Sequence, residues 1–164
     1  DALRYSFMLP SLLHGFESVD PHNDESQMHF GFTCFACAYA SLNETIQAKE
    51  VVEKDGQTFQ IGQLKCLAIE SKNDTVMKYA QKMGYSLVVR KDPTSGEVRI
   101  KARPDSSVEL KPLSEAILKV DTIGTWYYHP SGKMLLNGSR KQRHQRPTKL
   151  SLQEVVALAQ EHLS

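Results

Sequence analysis

Residues suited to bind a charged, flat ligand are concentrated between positions 125 and 141, in the sequence TWYYHPSGKMLLNGSRK. Its first half contains the only tryptophan of the chain, two adjacent tyrosines and His129. Two turns follow, at 131–133 and 137–139, and the backbone N–H groups and hydroxyls of such turns can surround phosphate or carboxylate oxygens. A neighbouring aromatic ring can stack on a base. The segment predicts a site for an anionic ligand, unless Trp126 and one tyrosine only close the core.

Basic residues follow this segment. Between positions 132 and 150 there are six cationic side chains and no acidic one. Such a strip either faces an anionic ligand or is a solvated loop whose charges aid solubility. The Ser-Gly-Lys at 131–133 is not a Walker A loop, because Gly124 lies too far back and Met134 stands where Ser or Thr must reach Mg²⁺. Nucleoside triphosphate hydrolysis by that mechanism is therefore excluded.

The three cysteines give no disulfide framework, which favours a reducing, cytoplasmic setting. Cys34 and Cys37 form a C-x-x-C pair, but a structural zinc site usually needs a second pair, and none is present. The pair lies within an apolar, helix-like run, so the sequence favours buried helix packing over metal or redox chemistry. The other histidines are scattered along the sequence, and only His129 is a candidate for a functional role.

Composition favours a soluble globular protein. Of 164 residues, 40% are hydrophobic and 24% charged, and no apolar run reaches the roughly 20 residues that would cross a bilayer, so no membrane partner is predicted. The chain opens with DALRYSF, without an initiator Met or a signal pattern, which leads us to expect a segment of a longer protein.

Hydrophobic periodicity predicts helices first and then a mixture of strands and helices. Helical spacing occurs within 4–16 and from Asp24, a plausible N-cap, to about residue 49. The residues 51–52 and 58–61 predict a hairpin around Asp55-Gly56, followed by a strand over 64–69. The first half of the chain thus predicts two helices leading into a sheet.

The second half continues the alternation. Asn73 or Asp74 can cap a helix that Gly84 ends in the left-handed conformation, and Ser151 with Glu154 forms a capping box for a last helix. Further predicted elements are strands at 85–89, 98–102 and 134–136, the last at a sheet edge, and a helix at 113–120. The fold class is α/β, with a mixed β-sheet flanked by helices and an N-terminal helical connector.

The run EVRIKARPDSSVELKPLSEAI followed by TWYYHPSGKMLLNGS resembles the C-terminal, DHH-associated domain of DHH-family phosphoesterases. That family includes exopolyphosphatase-like proteins and nucleases that digest very short RNA. Arg103 matches an arginine at the end of a strand, His129 a histidine after a glycine-rich run, and Gly138 a closing glycine, while 108–110 with Leu113 match a helix entry. In this chain the glycine run is replaced by GTWYY, so a glycine-loop phosphate cradle is not expected.

The resemblance implies a helical connector at 1–48 from a missing N-terminal domain and a DHH-associated-like domain at 49–150, and the capping box adds a C-terminal helix at 151–164. The resemblance also implies a substrate-binding role without a catalytic residue in this chain. Neither Asp-His-His nor Asp-x-Asp occurs in the sequence, so Mn²⁺ or a similar ion is expected in the missing domain. The substrate-binding residues expected from the resemblance and the turns are Arg103, His129, Ser131, Lys133, Asn137, Gly138, Ser139 and Arg140.

Three functions remain open at this point. The chain is the substrate-binding part of a DHH-like phosphoesterase acting on a short nucleic acid, a nucleotide or polyphosphate, or it is a non-catalytic RNA- or nucleotide-binding module. A domain retained for packing or homodimerisation is the third. The expected partners are thus a phosphate-bearing small molecule or short RNA or DNA, the missing catalytic domain, and a second copy of the chain.

Overall fold

A computed structural model describes residues 8–138 and 145–163. The chain divides into two compact units, Asp1–Glu44 and Thr45–Ser164. The predicted fold class is confirmed, since a six-stranded mixed sheet is combined with helices and the N-terminal region is helical.

The first unit is a pair of helices. Helix α1 spans Leu9–Val19, and the long helix α2 spans Asp24–Asp55, which extends into the second unit. The rings of Phe16 and Phe30 stack with centroids 4.5 Å apart and join the two helices. Asn23, rather than Asp24, caps α2, because its Oδ1 accepts a hydrogen bond from the Ser26 N–H at 3.1 Å.

The cysteine pair does lie on a helix, as predicted, but it is not buried. Cys34 is half-buried and Cys37 is exposed on α2. The helix buries only Ala48 and Val52 among its described side chains. The expectation of buried packing is therefore wrong. An apolar helix sequence indicates a surface that favours burial, but it does not show that another element of the chain packs on that surface.

The second unit is built on a sheet of six strands in the order β1-β2-β3-β4-β6-β5. Only β2 and β3 are parallel, and every other neighbouring pair is antiparallel. The strands are β1 Gln57–Ile61, β2 Leu64–Glu70, β3 Leu87–Lys91, β4 Val98–Ala102, β5 Trp126–Tyr128 and β6 Met134–Asn137. The helices are α3 Thr75–Lys82, α4 Lys111–Val120 and α5 Leu152–His162.

Side chains alternate between the two faces of this sheet, and each face has its own apolar cluster. On one face Cys66, Val89 and Ile100 pack with residues of α4 and α5. On the other face Leu67 and Val88 pack with residues of α3 and the end of α2. The strands β2 and β3 are therefore covered on both sides, as their continuous apolar sequences require.

The predicted hairpin around Asp55-Gly56 is wrong. Residues 51–55 continue α2, since Val52 is 4% exposed and packs in the cluster with Leu67. Gly56 follows the helix where the backbone is close, because a Cβ there would collide with the Val52 carbonyl oxygen. Burial of Val52 outweighs the turn preference of Asp-Gly, and the hairpin forms instead between β1 and β2.

The strand at 134–136 exists, but it is not at the sheet edge. It is β6, which lies between β4 and β5, while β5 forms the edge. The left-handed Gly84 after α3, with φ of 93°, and the capping box of Ser151 with Glu154 are confirmed. Among the described residues no helix is both long and apolar enough to cross a membrane.

We expect the stability of the second unit to fall at alkaline pH through Cys66. Burial raises the pKa of this thiol to about 11, whereas an unfolded thiol titrates near roughly 8.5. Unfolding therefore releases a proton above about pH 8.5, so stability should decline between there and pH 11, by on the order of 2–3 kcal/mol. Urea unfolding of wild type and Cys66→Ala across this range measures the effect, and equal alkaline slopes in the two proteins would contradict it.

Candidate ligand-binding site

The structure places the predicted site residues at two opposite ends of β6. Strands β4 and β5 both run antiparallel to β6, so the residues that follow them lie beside its start. Arg103, His129, Ser131 and Lys133 therefore share one end of the sheet. Asn137 is the last residue of β6, about 13 Å along the strand at roughly 3.3 Å per residue. Gly138 lies at that far end.

Ser139 and Arg140 lie outside the described residues. The site therefore rests on the six that are described.

Lys133 and His129 are held by local contacts. The Lys133 ammonium donates hydrogen bonds to the carbonyls of Ser106, at 3.1 Å, and Val108, at 2.5 Å. The Ser131 N–H donates to Nδ1 of His129 at 3.1 Å, so Nδ1 is an acceptor and the neutral ring carries its proton on Nε2. The ammonium of Lys133 ties two loops together, and the imidazole presents Nε2–H as its other polar group.

Asn137 and Gly138 are buried in the structure. The Asn137 amide donates to the carbonyls of Thr125 and Arg146, each at 3.0 Å, and its oxygen accepts from the Thr148 N–H at 2.7 Å. Asn137 is 0% exposed. Its hydrogen-bonding groups thus join β6 to the loop before β5 and to the chain at 146–148. Gly138 is packed against the side chain of Glu97.

The aromatic cluster is divided by the alternation of strand β5. Trp126 and Tyr128 pack on the core cluster beside α4. The Trp126 indole N–H donates to Asp121 at 2.7 Å. Burial alone would raise the pKa of Asp121, but hydrogen bonds from Thr148, Gly124, Trp126 and Ile123 hold it below its usual value. Tyr127 points to the other face and is 42% exposed.

An uncovered part of the sheet carries two neighbouring rows of side chains, and Tyr127 belongs to the first. Arg99, Leu136 and Tyr127 are paired across β4, β6 and β5 and form one row. Lys101 and Met134 are paired in the next row, which the His129 N–H extends by donating to the Met134 carbonyl at 2.9 Å. We call these six residues the open sheet face. Neighbouring strands are about 4.8 Å apart, so the Tyr127 ring lies roughly 10 Å across the sheet from Arg99.

Positive charge dominates the Arg99 and Lys101 side of the open sheet face. Burial is the main cause that lowers the pKa of Lys101. Arg99, Lys78 and Arg90 lower it further, whereas only Asp74 among its charged neighbours raises it. A half-buried ammonium with three neighbouring cations lies in a positive potential that an anion would relieve.

Asp74 is the carboxylate that partly balances these charges. It forms ion pairs with both Arg90, at 2.9 Å, and Arg99. Within the described part of the chain, the Nε atoms of both arginines are buried and have no hydrogen-bond partner. Asp74 is shared between the two guanidinium groups, and Arg90 has Asp92 at 3.7 Å as a second partner, so Arg99 receives only part of one carboxylate's charge.

Arg103 lines a groove next to this face. The groove, of about 480 Å³, lies between α3 and the residues after β4, and it is lined by Lys78, Gln81, Lys82, Arg103, Pro104 and Asp105. Arg103 donates from Nε to Asp105 at 2.5 Å, and its side chain is 36% exposed. Three cations and one carboxylate line the groove, so it extends the positive region beyond Lys101.

Sequence reasoning missed Arg90, Asp74, Arg99 and Lys101. For Arg99 and Lys101 a signal was present, since the strand VRIKA alternates apolar and basic residues and so places both cations on one face. Arg90 and Asp74 come together from different elements, and no local pattern predicts their ion pair.

The ligand set of a metal ion is not found in the described residues. Within 8–138 and 145–163, no three His, Cys, Asp or Glu side chains come close enough together to hold a metal ion. The residues present there do not fit the Mn²⁺ that the family resemblance implies elsewhere in such proteins.

Asn137 provides a test of structural against ligand-binding roles. Asn137→Ala leaves two carbonyls and one N–H without their buried partner, so we expect a loss of about 2–4 kcal/mol in the free energy of unfolding. Ser131→Ala, in the exposed turn at the other end of β6, should cost less than about 1 kcal/mol. Urea unfolding measures both. Unchanged stability in Asn137→Ala, together with weakened nucleotide binding, would contradict the structural role.

Comparison with known proteins gives no relative. No protein-family model matches this chain, and a search of curated proteins found no match. The resemblance to the DHH-associated domain therefore remains a hypothesis. The case for function depends on the geometry of the open sheet face and the neighbouring groove.

Proposed function

We propose that this chain is the substrate-binding part of a DHH-like phosphoesterase, and that the open sheet face binds a phosphate-bearing anion. The observation that carries the proposal is the cation excess around Lys101 on the same uncovered sheet face as the exposed Tyr127 ring. A nucleotide or a short nucleic acid has both of the matching groups, a flat base and charged phosphate. Polyphosphate matches the cations alone.

In the proposed complex the phosphate lies between Arg99, Lys101 and Arg103. A guanidinium can grip phosphate with two parallel N–H bonds, and Arg103, whose side chain is 36% exposed, is the arginine best placed to do so. The base lies on Tyr127, two strands away, at a separation of roughly 10 Å that suits one nucleotide. His129, whose ring meets the Tyr127 ring edge-on at 6.2 Å, offers Nε2–H at the margin of the base.

Cleavage is not assigned to these residues. In DHH-like proteins it belongs to a separate domain that carries the metal ligands, and that domain is the proposed partner. Binding without chemistry is the alternative, in which the chain acts as a nucleotide- or RNA-binding module through the same surface.

The proposal predicts which side chains matter for binding. Lys101→Met, Arg103→Ala and His129→Ala should each weaken binding of a mononucleotide, the first two by about 1.5–3 kcal/mol, or roughly ten- to hundred-fold. Lys149→Ala, an exposed cation away from the face, should change affinity little. Titrations at two salt concentrations, by calorimetry or fluorescence anisotropy, measure these effects, and affinity should fall as salt rises.

Tyr127 distinguishes the ligand classes. Tyr127→Leu should reduce mononucleotide and dinucleotide binding by about 1–3 kcal/mol, the value of one base–aromatic stack, and leave tripolyphosphate binding unchanged. If Lys101, Arg103 and Tyr127 can all be replaced with affinity intact, or if no phosphate compound binds, the proposal is wrong.

The lowered pKa of Lys101 predicts a pH dependence. The ammonium loses its charge at lower pH than a free lysine, whose pKa is about 10.4, and the charged form is the one that attracts phosphate. Affinity for tripolyphosphate should therefore fall as the pH rises from neutral towards that value. In Lys101→Arg the guanidinium stays charged, so the alkaline decline should disappear while binding at neutral pH is retained. The same alkaline decline in both proteins would show that another group titrates.

A further inference from the structure

Helix α2 exposes a stripe of large apolar side chains that the proposed binding site does not use. Five large apolar residues of helix α2 are each 60% or more exposed: Met28 60%, Phe32 66%, Phe35 62%, Tyr39 68% and Leu42 64%. They follow one another at intervals of four, three, four and three residues. We call them the α2 stripe.

This spacing is the repeat of a two-helix seam. Apolar residues that recur every 3.5 residues stay on one side of a helix and pack side by side with the same pattern on another helix. A helix that only covers a globular core usually shows a wider apolar face with a period near 3.6. The α2 stripe therefore fits a second helix better than a sheet or a loop.

The helix α1 does not cover the stripe. It contacts α2 through the stacked rings of Phe16 and Phe30 and through Leu13, which lies 3.6 Å from the Cβ position of Gly31. Phe30 is two residues from both Met28 and Phe32, about 200° around the helix from each, and so lies on the opposite side. The contact with α1 thus leaves the stripe facing away.

The residues around the stripe suit self-association. From residue 26 to residue 43 the helix carries no Asp, Glu, Lys or Arg, so two copies would meet without like-charge repulsion. Ala36 and Ala38 flank the stripe, and their small side chains allow a second helix to approach closely. An uncharged surface offers no charge complementarity to a different, charged partner.

We propose that the α2 stripe is a dimer interface and that its partner is α2 of a second copy of this chain. A large apolar side chain that is about two-thirds exposed offers roughly 100 Å² for burial. Five of them on each copy would bury about 1,000 Å² in total, which is the size at which specific protein interfaces begin. A single exposed patch of roughly 500 Å² is also at the upper end of what a monomer leaves in water.

The test is the oligomeric state of the whole 164-residue chain in solution. Sedimentation velocity and light scattering over a wide range of protein concentration should show a reversible dimer. A reducing agent is needed, since the exposed Cys37 would otherwise link copies through disulfides. Phe35→Glu places a charge within the stripe and should weaken the dimer by roughly hundred-fold or more. Cys37→Glu, an exposed site on the opposite side of the same helix, should leave the dimer intact.

Circular dichroism confirms that each variant keeps its helices. If Phe35→Glu loses helix content, the milder Leu42→Asn decides the question, and it too should weaken the dimer while Cys37→Glu does not. A wild-type chain that stays monomeric at all concentrations overturns the proposal. A dimer that survives the stripe variants, or that Cys37→Glu disrupts equally, also overturns it. Nucleotide binding by the monomeric variants keeps this outcome separate from that of the proposed function.

Discussion

The burial of Arg90 is the interaction on which the arrangement around the sheet centre depends. A guanidinium that is 2% exposed must be paired, because an isolated charge in a protein interior is very costly. Burial lowers the pKa of Arg90, and the Asp74 carboxylate partly opposes this. The carbonyl of Ser71 accepts a hydrogen bond from it at 2.5 Å, and Asp92 lies at 3.7 Å. Ser71 and Asp74 are the first and last residues of the segment between β2 and α3, and Asp92 follows β3. The need to pair the Arg90 charge therefore holds these segments close to one another.

The pairing of Arg90 also determines the electrostatics of the neighbouring strand. Asp74 immediately precedes α3, where a carboxylate is favoured by the helix dipole, and it must serve Arg90 and Arg99 at once. Arg90 and Arg99 are direct partners in the β3–β4 ladder, which brings their like charges close together. Asp74 therefore neutralises only part of the positive charge around Lys101, which lies two residues further along β4. The positive potential of the open sheet face thus follows from how one buried arginine is satisfied.

Local patterns predicted what local forces determine. Strand β4 was predicted at residues 98–102 because Val98, Ile100 and Ala102 alternate with basic residues, and the capping box at Ser151 was predicted because its hydrogen bonds join residues three apart. The end of α2 was not, since the burial of Val52 against the sheet is a contact between distant segments. The site followed the same rule. Arg103 and His129 come to one end and Asn137 to the other through strand direction, whereas the position of β6 between β4 and β5, which brings Arg99 and Tyr127 onto one face two strands apart, depends on sheet order.

The alternation within β5 limits the ligand that the open sheet face can receive. Two of the three consecutive aromatic residues, Trp126 and Tyr128, pack on the core cluster on the opposite face. Only the Tyr127 ring is left for stacking on the open sheet face. Proteins that bind long single strands stack successive bases on several rings, and each stack adds affinity. One ring with cations two strands away matches a ligand with one base and nearby phosphate. Under the proposed function, this geometry favours a mononucleotide or the end of a short nucleic acid over a long strand.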